Sequence, residues 1–244
     1  MAEAIDLESA ERLLREAEFE ESRLLWSSSN YVYLATLCAD GGQQLAAIYK
    51  PEAGETPLWD FPMGTLYRRE VAAYELAKLL GWFFVPPTVV REGPQGVGSV
   101  QLFVHHDRRA HYFEQRDIPG LVPQLQRIAV FDFVANNADR KGGHFLLDTA
   151  GRIWGIDHGL CFHTDYKMRT VAWDWAEEPI PDEWLDDVAR VADLLERHDD
   201  LTAPFRSLLS AREVDGTIER ARRLLRTRVF PSPGPHRSYP WPLV

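Results

Sequence analysis

Residues 136–148 read NNADRKGGHFLLD. One aspartate stands between an asparagine pair and an arginine–lysine pair, and two glycines and a histidine follow before an apolar run begins. The stretch comes after a buried-helix pattern, residues 120–137, and leads into two short strand patterns, 144–148 and 152–157, around the turn Thr-Ala-Gly. The second strand ends in Asp157 and runs into Asp-His-Gly. Two acids on neighbouring loops suit phosphoryl transfer. One carboxylate lies near the attacking hydroxyl, another holds Mg²⁺ on the nucleotide phosphates, and a nearby cation offsets the charge on the moving group. Lys141 is the candidate cation. Taken alone, the same residues equally describe a solvated turn that ends a helix.

Upstream, residues 6–17 read as a short amphipathic helix behind an acidic start. Residues 19–26, 31–38 and 43–50 read as three antiparallel strands, the last ending at Lys50. A loop rich in proline and glycine precedes a well-marked helix over 65–81 that stops at Gly81. Two more strands, 87–92 and 98–104, flank Gly-Pro-Gln-Gly-Val-Gly. Downstream, 181–198, 201–209 and 214–227 read as three helices with charged outer faces, and the proline-rich end as an extended tail. The expected architecture is α+β and two-lobed. An antiparallel five-stranded lobe with one main helix covers 1–104, and a mostly helical lobe covers 105–244, with a ligand cleft between them.

Composition narrows the function. The 244 residues, 45% hydrophobic, suffice for a large core, and the net charge of −10 argues against binding duplex DNA. The acidic first twenty residues carry no signal-peptide pattern, and no apolar run of about 18 residues is present. The expectation is a cytoplasmic protein with no nucleic-acid partner and no stable membrane insertion. Its two cysteines, Cys38 and Cys161, are expected as reduced thiols.

The order of a serine-rich hairpin, a lysine ending the third strand, a helix with an internal glutamate, DRxxxH and then IDHG resembles the protein-kinase-like fold in its phosphatidylinositol 3-/4-kinase-like and HipA-like branch. The resemblance covers roughly residues 19–165. It implies that Lys50 pairs with nucleotide phosphates and Glu70 holds that lysine. Ser27, Ser28, Ser29 and Asn30 stand where a glycine-rich loop covers phosphates. Backbone groups near Leu102, Phe103 and Val104 would meet an adenine edge. Asp139 matches the catalytic aspartate, with Lys141 beside it, and Asp157 matches the metal-binding aspartate. His144 stands where kinases carry a metal-ligating asparagine, so it either binds a metal such as Mn²⁺ or donates a hydrogen bond. Asn136 or Asn137 is a candidate replacement amide.

The resemblance thus implies ATP and Mg²⁺ or Mn²⁺ as cofactors. It also implies transfer of the γ-phosphoryl group to an unidentified hydroxyl acceptor: a protein Ser/Thr, a small molecule or an inositol-type lipid. The departures at the glycine-poor loop and His144 leave two alternatives, a nucleotide-binding pseudokinase and a protein that transfers AMP. A more distant one is a hydrolytic metal site built from histidines 105, 106, 111, 144, 158 and 163. Trp154, Trp173 and Trp175 are read as core, or as a substrate-side wall.

Overall fold

The computed structural model describes residues 6–25, 30–235 and 237–244. Helix α1 (Leu7–Glu16) begins where Asp6 accepts from the Ser9 amide at 2.9 Å, an N-cap that satisfies an otherwise orphaned donor. At its far end Arg91 donates to the carbonyls of Leu14 and Ala17, at 2.8 and 2.7 Å. A cation there also complements the helix dipole.

Strands β1 (Glu18–Leu25), β2 (Val32–Cys38), β3 (Gln44–Pro51), β4 (Thr88–Gly93) and β5 (Gly96–Leu102) form one antiparallel sheet in the order β1-β2-β3-β5-β4. Alternation puts Ala35, Leu37, Ala47, Tyr49, Val89 and Val100 on one face, where they pack with Leu14 of α1 and with Ala17 just after it. Strand β5 is interior to the sheet, lying between β3 and β4.

Helix α2 (Leu66–Leu80) ends at Gly81 in the left-handed conformation, φ 73°, which glycine adopts without steric cost. Twelve of its fifteen residues are buried, so it serves two neighbours. Besides lying against the sheet, it sends Leu76, Ala77 and Leu80 into the main core, shared with α4 (Val122–Ala135) and α5 (Asp182–Glu196). The five-stranded sheet keeps its own apolar cluster with α1, while α2 belongs to the main core of the helical half and so links the two.

The rest of the helical half comprises a single turn, α3 (Tyr112–Gln115), the hairpin β6 (Phe145–Leu147) and β7 (Ile153–Gly155), then α6 (Ala203–Leu208) and α7 (Ala211–Thr227). The last helix starts three residues before the sequence expectation. Ser210 and Glu213 form a capping box, each side chain accepting from the other's amide. Trp154, Trp173 and Trp175 are all buried, which removes the substrate-wall reading. The tail folds back on the protein. The Ser238 carbonyl accepts from the Thr170 amide and the Trp173 indole at 3.1 and 3.0 Å, and the Leu243 carbonyl accepts from the Gly142 amide at 2.7 Å.

Candidate active site

Strand β3 carries Lys50 out of the sheet, opposite Ser99 of β5. Its ammonium lies 2.9 Å from Asp157 Oδ1 and forms an ion pair with Glu70 Oε1. Glu70 Oε2 in turn accepts from the His158 amide at 2.9 Å, so one carboxylate of α2 ties together the lysine and the Asp-His-Gly loop. Burial opposes charge on Lys50, but Asp157 and Glu70 outweigh it and hold the ammonium protonated well above the usual lysine range. Lys50, with burial acting against it, pulls the Asp157 carboxyl far below the usual range. Burial pushes Glu70 upward, offset in part by Lys50. Competition from Arg68 or Arg69 for Glu70 does not arise. Arg68 donates to the Tyr67 hydroxyl, and Arg69 pairs with Glu213 across the core.

On the loop after α4, Asp139 Oδ2 lies 3.0 Å from the Lys141 ammonium. Burial raises the Asp139 carboxyl despite that lysine. Arg140, beside it, points the other way. Its guanidinium is fully buried, bidentate on Asp132 at 2.8 and 2.9 Å, and it also donates to the Ile156 carbonyl at 2.6 Å and to His158 Nε2 at 2.7 Å. It is a strut that holds the two acidic loops together, so only Lys141 of the Arg-Lys pair faces the cleft. The asparagines are committed internally as well. Asn137 donates to Asp132 and accepts from the Asp139 amide, both at 3.0 Å, while Asn136 donates to the carbonyls of His163 and Asp165. Neither supplies a replacement amide for a metal.

His144 Nδ1 accepts from the Lys141 amide at 3.3 Å, and Nε2 lies 3.3 Å from Asp157 Oδ2. That arrangement calls for the proton on Nε2, making the ring a donor to the carboxylate. Burial lowers its pKa to about 4, and burial also lowers His158 well below the ordinary value. Both rings are thus neutral in the folded protein at pH values where an unfolded histidine is charged. As pH falls below about 6.5 the unfolded chain takes up protons that the folded chain refuses, so stability falls. The midpoint of urea unfolding of the ligand-free protein is expected to drop between about pH 7 and about pH 5, and less steeply in His144→Gln.

Lys50, Glu70, Asp139, Lys141, His144 and Asp157 line a single cavity of about 410 Å³, together with Asn30. Asn30 Oδ1 accepts from the Thr56 amide at 2.8 Å. Ser27, Ser28 and Ser29 lie outside the described residues. Leu102 and Phe103 are not among the residues that line this cavity, and their amides are taken by the carbonyls of Pro87 and Ala46 at 2.9 and 3.0 Å. The Val104 side chain is buried against Leu146, with Ile156 beside it. Sequence reasoning missed the loop between β3 and α2, whose Glu55, Thr56 and Leu58 also line the cavity. The same loop reaches the helical half through Asp60, which pairs with Lys167 at 2.9 Å. Its proline and glycine content signalled a loop but not its position.

A divalent ion bound with a nucleotide needs only one or two protein carboxylates, because phosphates and water supply the remaining oxygens. Asp157 meets that need: it is ionised and its side chain is about half exposed, at 48%. Among the described residues no group of three metal-ligating side chains converges, and the histidines expected for a hydrolytic site are dispersed. His163, for example, bonds the Asp60 carbonyl through Nε2.

The first of the two glycines after Lys141 has a packing reason. A Cβ on Gly142 would sit 3.2 Å from the Phe113 ring and 3.3 Å from Val244 Cγ2, so a side chain here would press on the contact between the tail and this loop. Gly142→Val is expected to lower the unfolding free energy by about 1–3 kcal/mol, with faster amide exchange over residues 239–244. Urea denaturation and hydrogen–deuterium exchange check it.

A family model described as phosphatidylinositol 3- and 4-kinase matches residues 81–212. Protein Rv2133c of Mycobacterium tuberculosis is 39% identical over 249 aligned residues, covering 88% of each chain. Phosphatidylinositol 4-kinase gamma 4 of Oryza sativa subsp. japonica is 35% identical over 124 residues, which span 43% of this chain and 22% of that protein. Among solved structures, the Golgi casein kinase with Mn/ADP bound superimposes with a TM-score of 0.55 at 11% identity, covering 91% of this chain and 75% of the other. Hydra Fam20 with sugar gives 0.54 at 13% identity, covering 93% and 89%. At these identities the two structures speak to the fold, a kinase-like one.

Proposed function

The chain belongs to the phosphatidylinositol 3- and 4-kinase family, and from that premise we propose that it is an ATP-dependent phosphotransferase that moves the γ-phosphoryl group to a hydroxyl acceptor. The observation that carries this reading is the Lys50 ammonium, which bridges Glu70 and Asp157 on the wall of the cavity that also holds Asp139.

Each residue then has a task. Lys50, its long stem fixed by Glu70, meets the nucleotide phosphates as a point charge. Asp157 is the residue that would hold Mg²⁺ or Mn²⁺, which when bound draws charge from the phosphate oxygens. His144 acts as a donor that orients the Asp157 carboxylate and not as a metal ligand, because its Nδ1 is already engaged by the Lys141 amide. Backbone groups near Leu102, Phe103 and Val104 are the ones that meet the adenine edge in this reading. Asp139, made more basic by burial, receives the acceptor proton. The acceptor oxygen forms a bond to the γ-phosphorus, the bond from that phosphorus to the β,γ-bridging oxygen breaks, and ADP leaves with the electron pair. Lys141, 3.0 Å from Asp139, offsets the charge of the group in transit.

ATP labelled separately at the α and γ positions tests the reaction. Label from the γ position is expected to reach protein or an added acceptor, and Lys50→Ala is expected to reduce transfer by about 10²-fold or more. Transfer of the α label, or equal transfer by Lys50→Ala, contradicts the proposal.

A further inference from the structure

A second cavity, of about 840 Å³, lies outside the nucleotide cleft. One wall is the segment 166–169, another is the tail over 229–235 with Arg237 and Ser238, and α7 contributes Arg223. This groove adjoins the catalytic loop. The Arg169 amide donates to the Asn137 carbonyl and the Arg140 amide donates to the Arg169 carbonyl, both at 2.9 Å, so the segment runs alongside the residues that flank Asp139.

The charge of the groove opposes that of the chain. Overall, 37 acidic residues outnumber 27 basic ones, yet Lys167, Arg169, Arg223 and Arg237 line this groove against one carboxylate, Glu177. Glu177 is occupied by the Ser232 hydroxyl at 3.0 Å. Lys167 is paired with Asp60. Among the described residues, Arg169, Arg223 and Arg237 make no ion pair, and Arg169 Nε is buried without an acceptor. Arg223 is held in place by stacking over the Phe133 and Tyr166 rings, 5.8 and 5.9 Å from their centroids. The desolvated, unmatched Arg169 Nε is costly as it stands, and an anionic ligand would match it while pairing with the exposed guanidiniums of Arg223 and Arg237. Met168 and Phe230 add apolar surface to the same groove.

Resting on the phosphotransferase reading above, we propose that this groove receives the acceptor, and that the acceptor is a polypeptide segment whose hydroxyl is flanked by acidic side chains. A lipid headgroup in a bilayer fits less well. A chain of net charge −10 is repelled by a flat anionic surface, and Lys167, its side chain only 14% exposed, is recessed from one. The groove volume also stands toward the upper end of the range for small-molecule sites, about 300–1,000 Å³, and leaves room for several residues of an extended chain.

Fluorescence anisotropy of a labelled serine peptide flanked by glutamates, titrated with the full chain in the absence of nucleotide, reads the groove without requiring catalysis. The acidic peptide is expected to bind at least about tenfold more tightly than a glutamine-flanked control, with the preference shrinking as salt rises. Arg223→Gln with Arg237→Gln is expected to weaken binding by about tenfold and leave ATP affinity unchanged, and Arg223→Lys to retain most of the affinity. Equal binding of the two peptides, or an unchanged Kd in the double variant, overturns the proposal. So does tighter binding to phosphatidylinositol 4-phosphate vesicles than to the acidic peptide when the double substitution abolishes it, a result that assigns the groove to a headgroup. Failure of the chain to bind ATP would sink the phosphotransferase reading separately, since the peptide titration is independent of it.

Discussion

Asp139→Asn is expected to lower turnover by about 10²–10⁴-fold while leaving nucleotide affinity within a factor of about two. The substitution keeps the shape of the side chain and its place beside Lys141, and removes the capacity to take a proton. Nucleotide binding is expected to survive because the phosphates and the ion are assigned to Lys50 and Asp157, on β3 and the Asp-His-Gly loop, and not to the loop after α4. Burial raises the Asp139 carboxyl above its ordinary value of 3.8, so the rate of the wild type is expected to fall as pH drops toward that raised pKa, when the base becomes protonated. Steady-state rates across pH together with equilibrium ATP binding check both statements. An Asp139→Asn protein that turns over at the wild-type rate removes the proton-accepting role.

Asp132→Ala is expected to cost about 3–5 kcal/mol of stability, because it strands the Arg140 guanidinium at a fully buried position. Asp132 accepts two of the guanidinium's hydrogen bonds and one from Asn137, so the loss spreads to the backbone around Asp139, whose amide is held by the same asparagine. For a chain of this size the melting temperature should fall by roughly ten degrees. Asp132→Leu combined with Arg140→Met removes both charges, and stability is expected to recover by more than half, since replacing a buried pair with apolar groups is often close to neutral. Thermal and urea denaturation of the single and double variants form the test. Equal destabilisation in both would mean that the pair itself, and not the stranded charge, supplies the stability.

Much of the fold was legible because periodicity reports burial directly. The five strands, α2, α4 and the three late helices stand within a few residues of their expected ranges, and α7 differs because the capping pair Ser210 and Glu213 precedes its apolar repeat. The site was legible through the order of its motifs and not through spacing. Lys50, Glu70 and Asp157 are far apart in the chain, and nothing local in any of them says that they meet. Where reading failed, the cause was that sequence does not distinguish a buried charge from an exposed one. Arg140 and Lys141 are adjacent cations, yet one is a strut to Asp132 and the other lines the cavity. The amides of Leu102 and Phe103 are taken by the carbonyls of Pro87 and Ala46, on other strands and loops, which no local pattern signals. The loop after β3 and the returning tail carry only turn-forming composition, so their contacts with Lys167 and Gly142 had no signal to betray them.

The central claim is that Asp157, held between Lys50 and His144, carries the ion that accompanies a nucleotide. Calorimetric titration of the full chain with ATP in the presence of Mn²⁺ measures it, using wild type and Asp157→Ala, each with and without chelator. The account requires wild-type binding that chelator weakens by about tenfold or more, and Asp157→Ala binding that is weak and indifferent to chelator. Binding by Asp157→Ala that is as tight and as metal-dependent as that of wild type would contradict it.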